Sequence, residues 1–172
     1  MDKVPKKEAD KYLEWAKNGH LHICEGEEVD YTDVMDWFIH LWRKHKIRAF
    51  KIGYDKWEAK LFVEAMEEYG FDTVRVNQDY FTMSHPMRML ESDLINNRVN
   101  YNQNPIDKFC LENTALVFDK TGTKIMPAKV QGVKLNHIDG AVTMIIAYVV
   151  FNWNRREYLD TVSYTHLRAH ET

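Results

Sequence analysis

A chain of 172 residues, of which 45% are hydrophobic and 13% aromatic, is long enough to bury the core of one domain. Its net charge of −3 excludes a general electrostatic attraction to nucleic acid, so any DNA contact requires a local basic patch. With two cysteines, Cys24 and Cys110, the chain has neither a disulfide framework nor a four-cysteine zinc centre, which favours a reducing, cytoplasmic setting. The apolar run Ala141–Trp153 is too short to span a bilayer, so no membrane partner is expected.

The first half of the chain alternates between helical and extended patterns. Gly19 is a typical helix stop after an amphipathic run, and Asp30 or Thr32 can cap the next one. Short alternating or apolar runs between the helices indicate strands. The predicted elements are a helix Lys6–Lys17, a strand His20–Cys24, a helix from the Asp30/Thr32 cap to His45, a strand Ile47–Tyr54 and a helix Trp57–Tyr69.

The second half carries more turn and cap signals. Ser84 followed by Pro86 is typical of a helix start, as is Asn104 followed by Pro105. The predicted elements are a strand Thr73–Asn77, a helix Ser84–Asn97, a strand Val99–Tyr101, a helix from Asn104, a hairpin or edge pair of Leu116–Asp119 with Lys124–Met126, and a last helix from about Asp139. Helices that alternate with strands predict an α/β fold with parallel pairing.

Two aspartates have positions that suit a functional site. Asp139 falls in the first turn of the predicted last helix, where the helix dipole and the free N–H groups favour a carboxylate. Asp55 ends the predicted strand Ile47–Tyr54. A helix cap explains Asp139 by itself, whereas the two aspartates together also suit a metal site. The residues alone leave both interpretations open.

Two further groups of residues have metal-binding or phosphate-binding chemistry. His20, His22 and Cys24 would share one face of a strand, but no fourth ligand follows at a useful distance, so zinc is not predicted. Four lysines lie just before Asp139, and beside a metal site such lysines would suit a phosphate backbone, although most are simply solvated. They are Lys120, Lys124, Lys129 and Lys134.

Three stretches together resemble the C-terminal nuclease domain of large terminase subunits from tailed bacteriophages. They occur in the same order and spacing as in that family, over roughly Val4 to Asn154. The stretches are Ile52–Trp57, then Gln78–Leu90 leading to Asn104-Pro105, and then Lys129 with His137–Ala141. Each stretch by itself is weak evidence for the resemblance, whereas the three stretches in this order are fairly specific for the family.

The resemblance implies a ribonuclease H-like nuclease, with a mixed sheet flanked by helices, that cuts concatemeric phage DNA during packaging. In that family several carboxylates hold two divalent cations, Mg²⁺ or Mn²⁺, and Asp55 and Asp139 match the second and third acidic positions. Lys124, Lys129 and Lys134 would contact the double-stranded DNA. The implied partners are the ATPase domain, the small terminase subunit and the portal, and the implied location is the cytoplasm of the infected bacterial host.

The chain departs from the family pattern at its start. The family's first acidic residue lies on a first strand that this sequence does not match, so residues 1–158 are interpreted as a partial nuclease domain that lacks the first strands and is expected to cut poorly. Residues 159–172 resemble a translated sequencing adapter and are expected to form a disordered tail. Two alternatives stay open: a non-catalytic α/β binding or assembly module, and another ribonuclease H-like nuclease such as a transposase or resolvase.

Overall fold

Six helices and four strands make up the part of the chain that the computed structural model describes, residues 6–26, 30–56, 59–131 and 137–169. In chain order they are α1 (Lys6–Lys17), α2 (Tyr31–His45), β1 (Ile52–Tyr54), α3 (Lys60–Glu68), β2 (Thr73–Arg75), α4 (Tyr80–Ile95), α5 (Pro105–Glu112), β3 (Thr114–Phe118), β4 (Ile125–Lys129) and α6 (Asp139–Ala169).

The strands form one parallel and one antiparallel pair. β1 runs parallel to β2 in the register Ile52↔Thr73, and α3 makes the connection between them. β3 and β4 form the predicted antiparallel hairpin, in the register Phe118↔Ile125. The fold is therefore mixed α/β, as the sequence predicts. Within the described residues the two pairs are separate sheets, and no continuous mixed sheet joins them.

The main core lies between α6 and the elements packed on it. The middle of α6 is apolar on most of its surface, which suits a helix covered on more than one side. It packs against α4, the residue after β2 and the start of β4. The buried members of this cluster are Val76, Met83, Met87, Leu90, Ile125, Ile145, Ile146, Val149 and Val150.

A smaller apolar cluster covers the opposite face of β1. Ile52 packs with Ile39 of α2, Met66 of α3 and Phe71. Gly53 faces α6, since a β-carbon there would meet Ile146 and Val150. Because successive residues of a strand point to opposite faces, β1 lies between two helical layers.

The hairpin is fixed to α4 by a buried hydrogen bond. The backbone N–H of Ile125 donates to the Oγ of Ser84 at 3.1 Å, and the Ser84 side chain is buried. The prediction that Ser84 caps a helix is therefore wrong. α4 begins at Tyr80, where Asp79 accepts hydrogen bonds from the N–H groups of residues 81 and 82 at 2.9 and 2.8 Å. Pro86 consequently lies inside α4 and not in its first turn.

Several predicted strands are shorter than expected or not present. Residues 21–24 and Val99–Tyr101 have no strand structure, and only residues 52–54 of the predicted strand Ile47–Tyr54 are extended and paired. Alternation of polar and apolar residues does not make a strand by itself, because a ladder also needs a hydrogen-bonding neighbour. The parallel pair reaches only from Ile52 to Tyr54 on β1.

The end of the chain also differs from the prediction. α6 continues as helix to Ala169, where the sequence predicted a tail without regular structure from residue 159. Extending an existing helix adds a hydrogen bond per residue without a new nucleation cost, so α6 can propagate past the apolar run. The adapter origin of these residues stays a prediction. None of the described helices is long and apolar enough to cross a membrane.

Candidate metal and nucleic-acid site

A cavity of about 850 Å³ lies between β1 and α6 and contains both predicted acidic residues. Its apolar floor includes Val142, Ile146 and Val150 of α6. Asp55 and Asp139 line the same cavity, so the fold brings together two residues that are far apart in the sequence. The expected separation of their carboxylates, about 4–8 Å for ligands of cations roughly 4 Å apart, stays a prediction.

Gly53 lets β1 approach α6 closely at this cavity. An added β-carbon would lie 2.5 Å from Cγ2 of Ile146 and 2.7 Å from Cγ2 of Val150, so only glycine fits. Asp55 follows on the same face by strand alternation and lies just beyond the carboxyl end of β1. The sequence Ile52-Gly53-Tyr54-Asp55 thus combines close packing with an acidic residue at the strand end.

Two hydrogen bonds hold the Asp55 carboxylate. The backbone N–H of Lys56 donates to Oδ1 at 2.6 Å, and the side-chain amide of Gln78 donates to Oδ2 at 2.8 Å. Gln78 lies after β2, the strand that pairs with β1, and it also lines the cavity. No sequence pattern indicated a role for Gln78 by itself, because only the parallel pairing of β1 and β2 brings it beside Asp55.

Asp139 is the first residue of α6 and is well exposed, with 83% of its side chain accessible. Its Oδ2 lies 3.5 Å from Nδ1 of His137. The aspartate therefore starts the last helix as predicted, in the region where the helix dipole favours a negative charge. Its exposure leaves the carboxylate accessible to an ion in the cavity.

α5 and α1 surround the first turn of α6. A β-carbon on Gly140 would lie 3.2 Å from Oδ1 of Asp107 and 3.2 Å from Sγ of Cys110, so α5 packs closely on this turn. Burial raises the pKa of Asp107. Burial is also the main cause of the raised pKa of Tyr12, and the charge of Asp139 adds to it. Asp107 therefore lies against Gly140, and Tyr12 is close enough to Asp139 to sense its charge, which no sequence signal indicated.

The predicted DNA-contacting lysines lie on the hairpin. Lys129 is exposed at the end of β4, and Nζ of Lys124 lies over the ring of Phe81, 4.3 Å from its centroid. Neither is among the residues that line the cavity. Lys134 falls outside the described residues. The structure thus keeps Lys124 and Lys129 on one hairpin but does not bring them to the wall of the acidic cavity.

One lysine that the sequence did not single out does line the cavity. Lys51 is only 12% exposed and contacts Asp72 at 2.7 Å and Glu157 at 3.2 Å. The hydrogen bond to Asp72, followed by the one to Glu157, raises the pKa of Lys51. Lys51 therefore links the residue before β2 to α6 at one end of the cavity.

The donors at the acidic end of the cavity suit a hard cation. Asp55 and Asp139 offer carboxylate oxygens, and such ligands are preferred by Mg²⁺ and Mn²⁺ over zinc. Among the described residues the cavity wall contains these two carboxylates and no other.

The chain is a mixed α/β domain with acidic residues at a strand end and at a helix start, and its fold is similar to that of a solved structure. The crystal structure of the HK97 bacteriophage large terminase is similar with a TM-score of 0.71 at 24% identity, covering 84% of this chain and 30% of that one. The model of the terminase large subunit endonuclease domain matches residues 1–155. The chain belongs to this family.

Curated proteins of known name are also similar to this chain in sequence. Protein YmfN of Escherichia coli (strain K12) is 29% identical over 144 residues, which cover 81% of this chain and 30% of that protein. The terminase large subunit of Lactococcus phage SK1 is 26% identical over 79% of this chain and 25% of its own length. The large subunit of Enterobacteria phage HK97 is 26% identical over 79% and 26%. The chain thus spans between a quarter and a third of these relatives' length.

Proposed function

We propose that this chain is a metal-dependent DNA endonuclease region of a phage terminase large subunit, which cuts concatemeric viral DNA during genome packaging. The observation that carries the proposal is the shared cavity of Asp55 and Asp139, in a chain that belongs to the terminase endonuclease-domain family. Both residues sit where the family resemblance expects acidic ligands.

Asp55 and Asp139 would hold Mg²⁺ or Mn²⁺ through their carboxylate oxygens. Such cations activate water and stabilise the leaving oxygen in phosphodiester hydrolysis. The contribution of this chain is to fix the ligands: Gln78 and the N–H of Lys56 orient the Asp55 carboxylate, and the start of α6 orients Asp139. Close packing of Gly53 on α6 sets the distance between the two elements.

The substrate in this proposal is double-stranded DNA, and its phosphates are bound by local basic residues because the net charge is −3. Lys129 and Lys124 are candidates on the hairpin, and Lys134 is a candidate outside the described residues. The further partners are an ATPase domain, a small terminase subunit and a portal, in the cytoplasm of an infected bacterium. These follow from the family and are proposed with it.

Two carboxylates hold a pair of cations less firmly than three would, since the bridging position also needs ligands. We therefore expect slow cutting by the 172-residue chain, with Mn²⁺ more effective than Mg²⁺ because Mg²⁺ demands stricter octahedral geometry. Asp107 lies against the first turn of α6, but it is not part of the cavity wall.

The test is cleavage of supercoiled and linear plasmid by the purified chain with Mn²⁺, Mg²⁺ or excess chelator. Asp55→Asn and Asp139→Asn should each abolish metal-dependent cutting. Asp36→Asn is the matched control, because Asp36 is an exposed aspartate on α2 away from the cavity. Binding of Mn²⁺, followed by its electron paramagnetic resonance, gives a second readout if cutting is too slow to measure. Undiminished cutting and Mn²⁺ binding by Asp139→Asn would exclude Asp139 from the site.

A further inference from the structure

A second group of metal-ligating side chains lies at the start of α2, outside the acidic cavity. His22 and Cys24 are in the segment between α1 and α2, and Asp33 is in the first turn of α2. Of the residues that the structure describes, these form the one group of three potential ligands whose donor atoms all lie within 4.8 Å of one another. None of them lines the cavity that contains Asp55 and Asp139.

The local structure explains why these three side chains converge. His22 and Cys24 are two residues apart in a stretch without helix or strand, and their donor atoms lie within 4.8 Å of each other. Asp30 caps α2 by accepting a hydrogen bond from the N–H of Thr32 at 2.9 Å, and this fixes the direction of the helix. Asp33 then faces the segment, with Oδ1 at 3.9 Å from Nε2 of His22. Asp33 of α2 therefore forms a group of three with His22 and Cys24, and His20 is not part of this group.

The donor set selects the class of ion. A thiolate and an imidazole are soft or borderline ligands that suit zinc-like transition metals, and they do not suit Mg²⁺ or Ca²⁺. A tetrahedral ion with bonds of about 2.0–2.3 Å needs donor atoms about 3.3–3.7 Å apart. Separations of up to 4.8 Å therefore have to close by no more than about 1.5 Å, which rotation of the partly exposed side chains can supply.

The surroundings favour a cation at this position. The Cys24 thiol donates a hydrogen bond to the Asp33 carboxylate. A metal ion would replace the shared proton and bond to the sulfur and the carboxylate oxygen together. Asp30 adds a negative charge near the thiol. The His22 side chain is 76% exposed, so an ion can enter directly from solvent.

We propose that His22, Cys24 and Asp33 bind one zinc-class divalent ion, which fastens the segment between α1 and α2 to the first turn of α2. Three protein ligands leave a fourth tetrahedral position for water. The ion has a structural role and is independent of the Asp55–Asp139 site, so its presence does not depend on the proposed nuclease function.

The test is titration of the tag-free, reduced chain with Co²⁺, followed by displacement with Zn²⁺. We expect one Co²⁺ per chain to give a near-ultraviolet thiolate-to-cobalt band together with visible d–d bands, and Zn²⁺ to remove this thiolate band. Cys24→Ser should remove the thiolate band, and Asp33→Asn or His22→Ala should weaken binding at least tenfold. The substituted side chains are at least partly exposed, so circular dichroism should show the fold retained.

Matched controls separate this site from other ligands in the chain. Cys110→Ser should keep the thiolate band, because Cys110 is buried under α6 and belongs to no group of ligands among the described residues. His20→Ala should also keep it, as should the double variant His166→Ala/His170→Ala. The proposal is overturned if wild-type protein gives no thiolate band, if Cys24→Ser retains it, or if Asp33→Asn and His22→Ala bind as tightly as wild type.

Discussion

Gly53 of β1 lies so close to Ile146 of α6 that a β-carbon at residue 53 would stand 2.5 Å from the Cγ2 atom of Ile146. This approach decides where the carboxyl end of β1, and with it Asp55, lies relative to α6. Because the contact is between a strand backbone and a buried side chain of the main core, it has little freedom to relax.

Gly53→Ala should therefore destabilise the protein by about 1–3 kcal/mol, the usual range for overpacking a core. Equilibrium denaturation by urea measures the change. Gly140→Ala is the matched control, since its β-carbon would meet neighbours at 3.2 Å and its helical position favours alanine over glycine. We expect a smaller effect there. Equal stability of Gly53→Ala and wild type would show that β1 can move away from α6 without cost.

Gln78 should act as a positioning residue for Asp55. Removing its amide in Gln78→Ala leaves the ligand oxygens present but frees the Asp55 carboxylate to rotate, because one of its two hydrogen bonds is lost. We expect weaker Mn²⁺ binding, by roughly 10-fold, as found when outer-shell partners of metal ligands are removed. The loss of Mn²⁺ affinity in Gln78→Ala should be smaller than the loss in Asp55→Asn. Gln78→Asn should recover part of the affinity only if the shorter side chain reaches Asp55.

Titration of Mn²⁺ into the three variants and wild type measures this order. Gln103→Ala serves as the control, since Gln103 is an exposed glutamine outside the cavity. Unchanged affinity in Gln78→Ala would mean that the hydrogen bond does not orient the ligand.

The parts of this fold that could be predicted from the sequence are those that helix caps, turn residues and apolar spacing determine locally. Helix α1 runs from Lys6 to Lys17, as its apolar spacing and Gly19 predict. Helix α5 begins at Pro105 after its cap Asn104, whose side chain accepts a hydrogen bond from the N–H of Ile106. The hairpin and the start of α6 were likewise predicted from turn residues and an apolar run. These features depend on hydrogen bonds between residues close in sequence.

Contacts between distant elements could not be predicted in the same way. Ser84 carries a helix-start signal, but its hydroxyl accepts a hydrogen bond from Ile125, a residue on another element. Gln78 and Lys51 join the cavity because β1 and β2 pair in one register. Asp33 forms a group with His22 and Cys24 because the fold places the first turn of α2 beside these two residues. A local sequence pattern does not predict these contacts, because each contact depends on how two distant elements pack against each other.

Lys129 should contribute to DNA binding through phosphate contact. Lys129→Ala should weaken binding to duplexes of any sequence by a similar factor and lower the slope of log affinity against log salt by about 1. Lys17→Ala is the control, because Lys17 is an exposed lysine at the end of α1. Fluorescence anisotropy at several salt concentrations gives both values. An unchanged salt slope would place Lys129 outside the DNA-binding surface.

Tyr148 and Asp93 join α6 to α4 by a hydrogen bond whose contribution should depend on pH at both extremes. The Tyr148 hydroxyl donates to Oδ2 of Asp93 at 2.8 Å, and Arg98 contacts Oδ1 at 2.6 Å. The hydrogen bond from Tyr148, followed by that from Arg98, lowers the pKa of Asp93 below its usual 3.8. Burial, followed by the hydrogen bond to Asp93, raises the pKa of Tyr148 from 10.0 to about 12.

The two pKa shifts limit the stabilising effect of the Tyr148–Asp93 hydrogen bond at opposite ends of the pH scale. The lowered pKa of Asp93 gives stability that is present above pH 3.8 and is lost as the pH falls through the lower folded value. The raised pKa of Tyr148 gives stability that is present below pH 10.0 and is lost as the pH rises toward about 12. Tyr148→Phe should therefore lower Tm by a few degrees at pH 7, and the difference in Tm from wild type should shrink in both pH ranges.

Thermal unfolding by circular dichroism from pH 3 to pH 11 measures this difference in Tm. Tyr158→Phe is the control, because it makes the same chemical change at an exposed position. A constant difference between Tyr148→Phe and wild type across that range would mean that the loss is one of packing, and that the hydrogen bond to Asp93 does not stabilise the joint between α6 and α4.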